Sequence, residues 1–229
     1  MSHEEHQDPG NSKRYSTYIN KGTIRNIIFF GGGIILFITG VICYGVILNL
    51  RVTPLNEVMS KKGIVKFNSP KIVVERKSYL LLLYNDTTLV KSYRASFGRN
   101  VISGKKRVGD FATPVGEYEI CKIDSTSIYY KFLGINYPNQ YDLTEGLRKG
   151  LISQAQFDSL NSELYYKGCS SADTELGGNI GIHGLGRLNF LLKNLPFVYN
   201  WTNGSIAISN ESIDELYSVI KKGTKVIVK

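Results

Sequence analysis

Two stretches of the chain set residues capable of acyl chemistry beside glycines. Gly177–Gly184 reads Gly-Gly-Asn-Ile-Gly-Ile-His-Gly, and Trp201–Asn210 reads Trp-Thr-Asn-Gly-Ser-Ile-Ala-Ile-Ser-Asn. If Ser205–Ile208 is a strand, Ile206 and Ile208 face one way and Ser205 and Ala207 the other. A hydroxyl at the mouth of a strand, after a glycine that lets a substrate approach closely, suits a nucleophile. A lone imidazole, His183, can act as its base. On spacing alone the same two residues also read as a packed histidine and a turn serine. The chain has three histidines, and His3 and His6 lie near its start, so a multi-histidine metal centre is excluded by count. Cys43, Cys121 and Cys169 form no C-x-x-C pair, so a structural zinc lacks ligands at the required spacing. No metal and no cofactor are expected.

The elements around these stretches are mainly β. Lys71–Arg76, Tyr79–Tyr84, Leu89–Phe97 and Gly116–Ile123 read as strands, and Lys225–Lys229 as a closing strand. Short strands with turn signals between them point to a sandwich or barrel-like core. Two helices carry clear end signals. Ser153 and Gln156 form a capping-box pattern ahead of Phe157, Leu160 and Leu164, and Gly168 stops that helix. Asn210 is placed to cap the second, whose stripe is Ile213, Leu216, Tyr217 and Ile220, with acids first and lysines last.

The N-terminal part differs. Residues 1–26 are polar, without apolar periodicity, and read as a disordered cytoplasmic tail. Residues 27–50 are uncharged and mostly apolar, long enough for a transmembrane signal anchor. No small-residue cleavage site follows, and Ile42 before Cys43 argues against lipidation. Lys13, Arg14, Lys21 and Arg25 before the span outnumber the basic residues just after it, which favours a cytoplasmic N-terminus. Residues 51–70 read as a linker and 71–229 as the folded domain. The formal net charge of +9 points to an acidic partner such as an anionic membrane or wall polymer, or to solubility alone. Without a basic run interleaved with aromatics, nucleic acid is set aside.

The ordered motifs resemble the L,D-transpeptidase (YkuD-type) family. His183-Gly184, then Thr202-Asn203-Gly204-Ser205-Ile206, is similar to its signature, a His-Gly step followed by [Ser/Thr]-His-Gly-Cys-[Ile/Val]-Arg. Upstream, Gly109–Gly116 resembles the family's Thr-Pro-x-Gly turn. Tyr137-Pro138-Asn139 with Asp142, and the helix after Ser153, resemble an insertion found in one branch. Three residues depart from the pattern. Ser205 stands at the cysteine position, Asn203 at the second histidine, and Ala207 at the usual arginine.

The resemblance implies an L,D-transpeptidase-like β-sandwich with helical insertions, its site in a cleft under a lid, with residues 124–176 expected to form part of the lid. It implies acyl transfer between peptidoglycan stem peptides in an extracytoplasmic domain of a bacterial plasma membrane protein. Ser205 then holds the nucleophile position, His183 is the base, and the Gly184 carbonyl orients the imidazole. Backbone N–H groups at Gly204 and Ser205 are the oxyanion donors, and Trp201, Asn203 and Ala207 contact substrate. A hydroxyl ionises far less readily than a thiol, so serine lowers the expected rate by orders of magnitude. The serine is therefore compatible with a serine mechanism, an introduced knock-out, or a catalytically silent peptide-binding homologue. Cys169 as a relocated nucleophile is the remaining option. An L,D-carboxypeptidase-like hydrolase differs only in its acceptor. Cys121 and Cys169 are open to two states: a disulfide, or an unpaired buried thiol, the latter preferred for Cys121.

Overall fold

The computed structural model describes residues 20–50, 52–171 and 174–229. Most of the expected N-terminal tail lies outside them. Helix α1, Lys21–Asn49, contains the apolar stretch and begins six residues ahead of Ile27. It is long and apolar enough to cross a membrane. Two compact units follow the chain, Met1–Val41 and Ile42–Lys229.

The second unit opens with α2, Leu55–Lys61, inside the stretch read as a linker. Leu55 is buried in the main core, and Val58, Met59, Ile64 and Phe67 pack against it, so apolar residues spaced along a short helix dock this stretch on the domain. Eight strands follow: β1 Pro70–Glu75, β2 Leu80–Asn85, β3 Thr88–Arg94, β4 Gly116–Ser127, β5 Tyr130–Ile135, β6 Gly181–Gly184, β7 Ile206–Ile208 and β8 Lys225–Val228. They form one mixed sheet in the order β3-β2-β1-β8-β4-β5-β6-β7. Its two ends meet where Ser96 and Ala207 exchange backbone hydrogen bonds of 2.8 Å in both directions. The closed sheet wraps one core that includes Ile72, Leu83, Phe97, Ile120, Leu133, Ile182, Ile206 and Val226. This is the mainly β, sandwich- or barrel-like core expected, with helices inserted. Strand β5 is not among the strands expected from sequence, because its last four residues are all buried and show no polar–apolar alternation.

Helix α3, Gln140–Arg148, and helix α4, Gln154–Lys167, form the insertion between β5 and β6. The α4 capping box and its Gly168 stop are as read from sequence, with Gly168 in the left-handed region at φ 75°. Helix α3 was not anticipated, although Asn139 and Asp142 cap it by the same reciprocal pattern. The pair has its own small core of Leu143, Ile152, Leu160 and Leu176. A Cys121–Cys169 disulfide ties it to β4, which replaces the unpaired state preferred for Cys121. The physical reason lies in the insertion: α4 ends by bringing Cys169 to within 5.6 Å, Cα to Cα, of Cys121. Between β6 and β7 lie a 3₁₀ turn, Gly186–Leu188, and the short helix α5, Asn189–Lys193. Helix α6, Asn210–Val219, is capped by Ser209, not Asn210. The Ser209 hydroxyl accepts from the Ser212 N–H, while Asn210 Oδ1 accepts from Gly186 N–H.

Candidate active site

Strands β6 and β7 run parallel, pairing Ile182 with Ile206 and His183 with Ala207. That register sets Ser205, just ahead of β7, opposite Gly181 and not opposite His183. The Gly181 N–H accordingly donates to Ser205 Oγ at 3.3 Å. Among the described residues no hydrogen bond joins the hydroxyl to the imidazole. Both nevertheless line one cleft of about 590 Å³, together with Trp201, Thr202, Asn203 and Tyr129. A side chain at Gly181 would overlap the Leu133 carbonyl oxygen, so the close approach of β5 requires glycine there.

The turn carrying Ser205 is tied from within and from outside. Buried Thr202 donates its hydroxyl to the Ser205 carbonyl at 2.6 Å and accepts the Gly204 N–H at 3.2 Å. Gly204 sits at φ 133°, and a Cβ there would come within 2.7 Å of the Ala112 carbonyl oxygen. Thr202 also pairs with the Phe97–Arg99 segment through backbone bonds from its N–H to Phe97 and from Arg99 N–H to its carbonyl. Buried Thr113, of the Thr-Pro-x-Gly turn, accepts the Gly98 N–H at 3.0 Å. The motif upstream in sequence thus braces the segment that braces the serine.

His183 is 3% exposed, and its Nδ1 lies 2.7 Å from the Gly184 carbonyl oxygen. A carbonyl only accepts, so Nδ1 carries the proton and Nε2 keeps its lone pair. Burial lowers the imidazole below the ordinary histidine value, while the Gly184 carbonyl pulls the other way. The ring is therefore neutral at pH 7. Tyr129 stacks on it at 4.7 Å between centroids, and Trp201 meets it edge-on at 5.8 Å. Tyr129 belongs to the hairpin between β4 and β5 and was not among the residues singled out from sequence. Only tertiary packing brings it here, because it is 54 positions from His183 in the chain.

Asn203 lines the cleft and accepts a 3.0 Å hydrogen bond from Arg99, whose guanidinium lies 4.0 Å over the Phe111 ring. Ala207 is not brought to this cleft. It is 1% exposed, locked by the Ser96 bridge, and borders a separate cavity of about 480 Å³ beside Lys91, Tyr93 and Glu215. The middle residue of β7, it is buried where the Ser96 bridge closes the sheet, and its side chain does not line the cleft that holds Ser205 and His183. The N–H of Gly204 is likewise committed to Thr202 instead of facing outward. Of the lid expected over residues 124–176, the part lining the cleft is the hairpin region at Asp124, Ser127–Tyr129 and Phe132, and α3 and α4 stand aside. Among the described residues no group of His, Cys, Asp and Glu side chains is arranged to hold a metal ion.

The family model for the YkuD L,D-transpeptidase catalytic domain matches residues 69–228. The chain belongs to this family. Solved structures similar to this YkuD protein include Pgp2 from Campylobacter jejuni, a helical cell shape determining protein. It is 20% identical over 76% of this chain and 55% of that one, with a TM-score of 0.46. An L,D-transpeptidase from Xylanimonas cellulosilytica is 14% identical over 78% of this chain and 71% of that one, with a TM-score of 0.41. One from Mycobacterium smegmatis is 9% identical over 70% and 58%, also at 0.41. The YkuD chain thus spans little more than half the length of the Campylobacter and Mycobacterium proteins. Among curated proteins none matches it in sequence.

Proposed function

We propose that this YkuD domain performs L,D-transpeptidase-type acyl transfer on peptidoglycan stem peptides. The observation that carries the reading is His183. It is neutral, held at Nδ1 by the Gly184 carbonyl, with Nε2 unprotonated, in the cleft that also holds Ser205. Nε2 takes the Ser205 Oγ proton as Oγ bonds to the carbonyl carbon of the third stem residue. The C–N bond to the terminal D-amino acid then breaks, and Nε2 returns the proton to the leaving amine. The amine of a second stem attacks the resulting ester and releases the Ser205 hydroxyl; with water in its place the outcome is carboxypeptidase-like hydrolysis. The Ser205 N–H is the oxyanion donor in this scheme, since Gly204 N–H is engaged. The Trp201 indole N–H is buried without a partner among the described residues, and it donates to a stem carbonyl. Asn203, held by Arg99, presents its amide to the same peptide.

A second reading has its own support. Ser205 Oγ is bonded to the Gly181 N–H and not to the imidazole. A hydroxyl parked in that way fits a domain that binds stem peptides without turning them over. In either case the disulfide fits an oxidising compartment, which supports an extracytoplasmic domain anchored by α1 with its N-terminus in the cytoplasm.

The test incubates the full chain with tetrapeptide muropeptides, unchanged, as Ser205→Cys and as His183→Ala, with products read by mass spectrometry. Crosslinked or trimmed stems from the unchanged chain establish the serine mechanism and show which acceptor is used. Products from Ser205→Cys alone mean a transpeptidase cleft idle for want of a thiol. Stem peptide bound equally by all three, with no product from any, establishes the binding reading.

A further inference from the structure

The segment linking β6 to β7 exposes a cluster of large apolar side chains. Leu188, Phe190, Leu191, Phe197 and Tyr199 are all exposed, Phe190 by 63% and Phe197 by 59%. Its polar groups are tied back to the domain. Asn189 bonds Glu211 and the Asn210 N–H, Lys193 meets Glu211 at 2.5 Å, and Arg94 donates to the Leu195 carbonyl at 2.7 Å. Asn194 is 1% exposed and donates to the Phe190 carbonyl at 2.6 Å. The apolar side chains are therefore displayed on a frame bonded to the domain, and they are not the loose side chains of an open loop.

A second observation says what covers them. The last two turns of α1, within the same compact unit, end on this segment. Asn49 Nδ2 donates to the Lys193 carbonyl at 3.1 Å and to Asn194 Oδ1 at 2.7 Å. Gly45 lies so close to Asn194 that a Cβ there would overlap its carbonyl oxygen. The uncharged stretch runs on to Leu50. A helix that crosses a bilayer leaves it where its apolar run ends, and residues bonded to that point lie at the same depth.

We propose that the Leu188–Tyr199 face is a membrane-contact surface, seated on the lipid bilayer at the point where α1 emerges. The inference rests on the reading of α1 as a membrane span. Exposed aromatic and aliphatic side chains along a segment tied to the domain by asparagine hydrogen bonds match the chemistry of the headgroup–acyl boundary. The same segment runs from His183-Gly184 to Trp201, so bilayer contact fixes the height of the cleft above the membrane.

The test uses the full chain in a Cys43→Ser background, with the native disulfide oxidised. Phe190→Cys, Phe197→Cys and, as control on α4, Tyr166→Cys are each labelled with an environment-sensitive fluorophore. The three chains are reconstituted in phosphatidylethanolamine–phosphatidylglycerol vesicles with and without spin-labelled lipid. Tyr166 is 80% exposed but far along the chain from α5, which makes it a fair control for exposure alone. The expected result is severalfold stronger lipid quenching at positions 190 and 197 than at 166, reduced when Gly45→Leu separates the helix end from Asn194. A chain that floats with vesicles but shows equal quenching at all three positions overturns the inference while leaving the span intact. A blue-shifted emission without lipid quenching overturns it in favour of a second copy of the chain. A chain that does not float with vesicles takes the span reading and the inference down together.

Discussion

Around Ser205 and His183 the chain is held by hydrogen bonds to backbone and by glycines that leave no room for a Cβ. The α3–α4 insertion is held instead by four buried aliphatic side chains and one disulfide. Both regions hang on the same sheet, yet they spend their interactions differently. In the first, directional hydrogen bonds place the polar atoms, and in the second, burial holds the fold with little demand on direction. Substitutions in the first region should therefore act on chemistry, and those in the second on stability.

The sharpest break of that contrast is His183→Ala. Turnover of muropeptides, in whichever of the unchanged or Ser205→Cys chains is active, is expected to fall by about 10²–10⁴-fold, the usual worth of a positioned base. Peptide affinity, measured by calorimetry, should hardly change. In the insertion, Leu143→Ala removes a fully buried side chain and is expected to destabilise the domain by about 2–5 kcal/mol in urea unfolding. Turnover of the remaining folded protein should stay the same; a parallel loss of turnover would show that the two regions are coupled. Replacing Cys121 and Cys169 together by serine should cost about 2–4 kcal/mol by the same measurement, again with chemistry retained.

Thr202→Val sits between the two classes. It strips the Gly204 N–H of its acceptor and the Ser205 carbonyl of its donor inside a buried turn, at a cost of about 1–3 kcal/mol. Here turnover should fall as well, because the turn carries Ser205. The smallest effect is that of pH. Burial holds the His183 pKa in the fold below its unfolded value, so the unfolded chain takes up the proton first. The contribution is fully present above the unfolded value of about 6.5 and is lost as pH falls through it toward the folded value. A stability–pH curve should show that decline in the unchanged chain, and His183→Gln should flatten it.

Much of the fold could be read directly from residue patterns. Short β-rich runs bounded by turn signals marked β1, β2, β3, β4 and β8 to within a few residues, and Ser153, Gln156 and Gly168 bounded α4, because these signals are local. Asn139 and Asp142 carry the same reciprocal cap signal at the start of α3. The family was legible from the ordered motifs around His183 and Ser205, and the family model matches residues 69–228.

What lay beyond the sequence is whatever depends on register and on distant segments meeting. One-dimensional spacing cannot say that parallel pairing sets Ser205 against Gly181, that a bridge to Ser96 closes the sheet at Ala207 and buries it, or that Tyr129 stacks on the imidazole. Nor can it pair Cys121 with Cys169 across an inserted helical hairpin. Residue types and their periods are local properties of the chain, and they determined the elements and the reactive groups. Which group faces which is decided by the three-dimensional packing that buries the core, and that is a property of the whole domain.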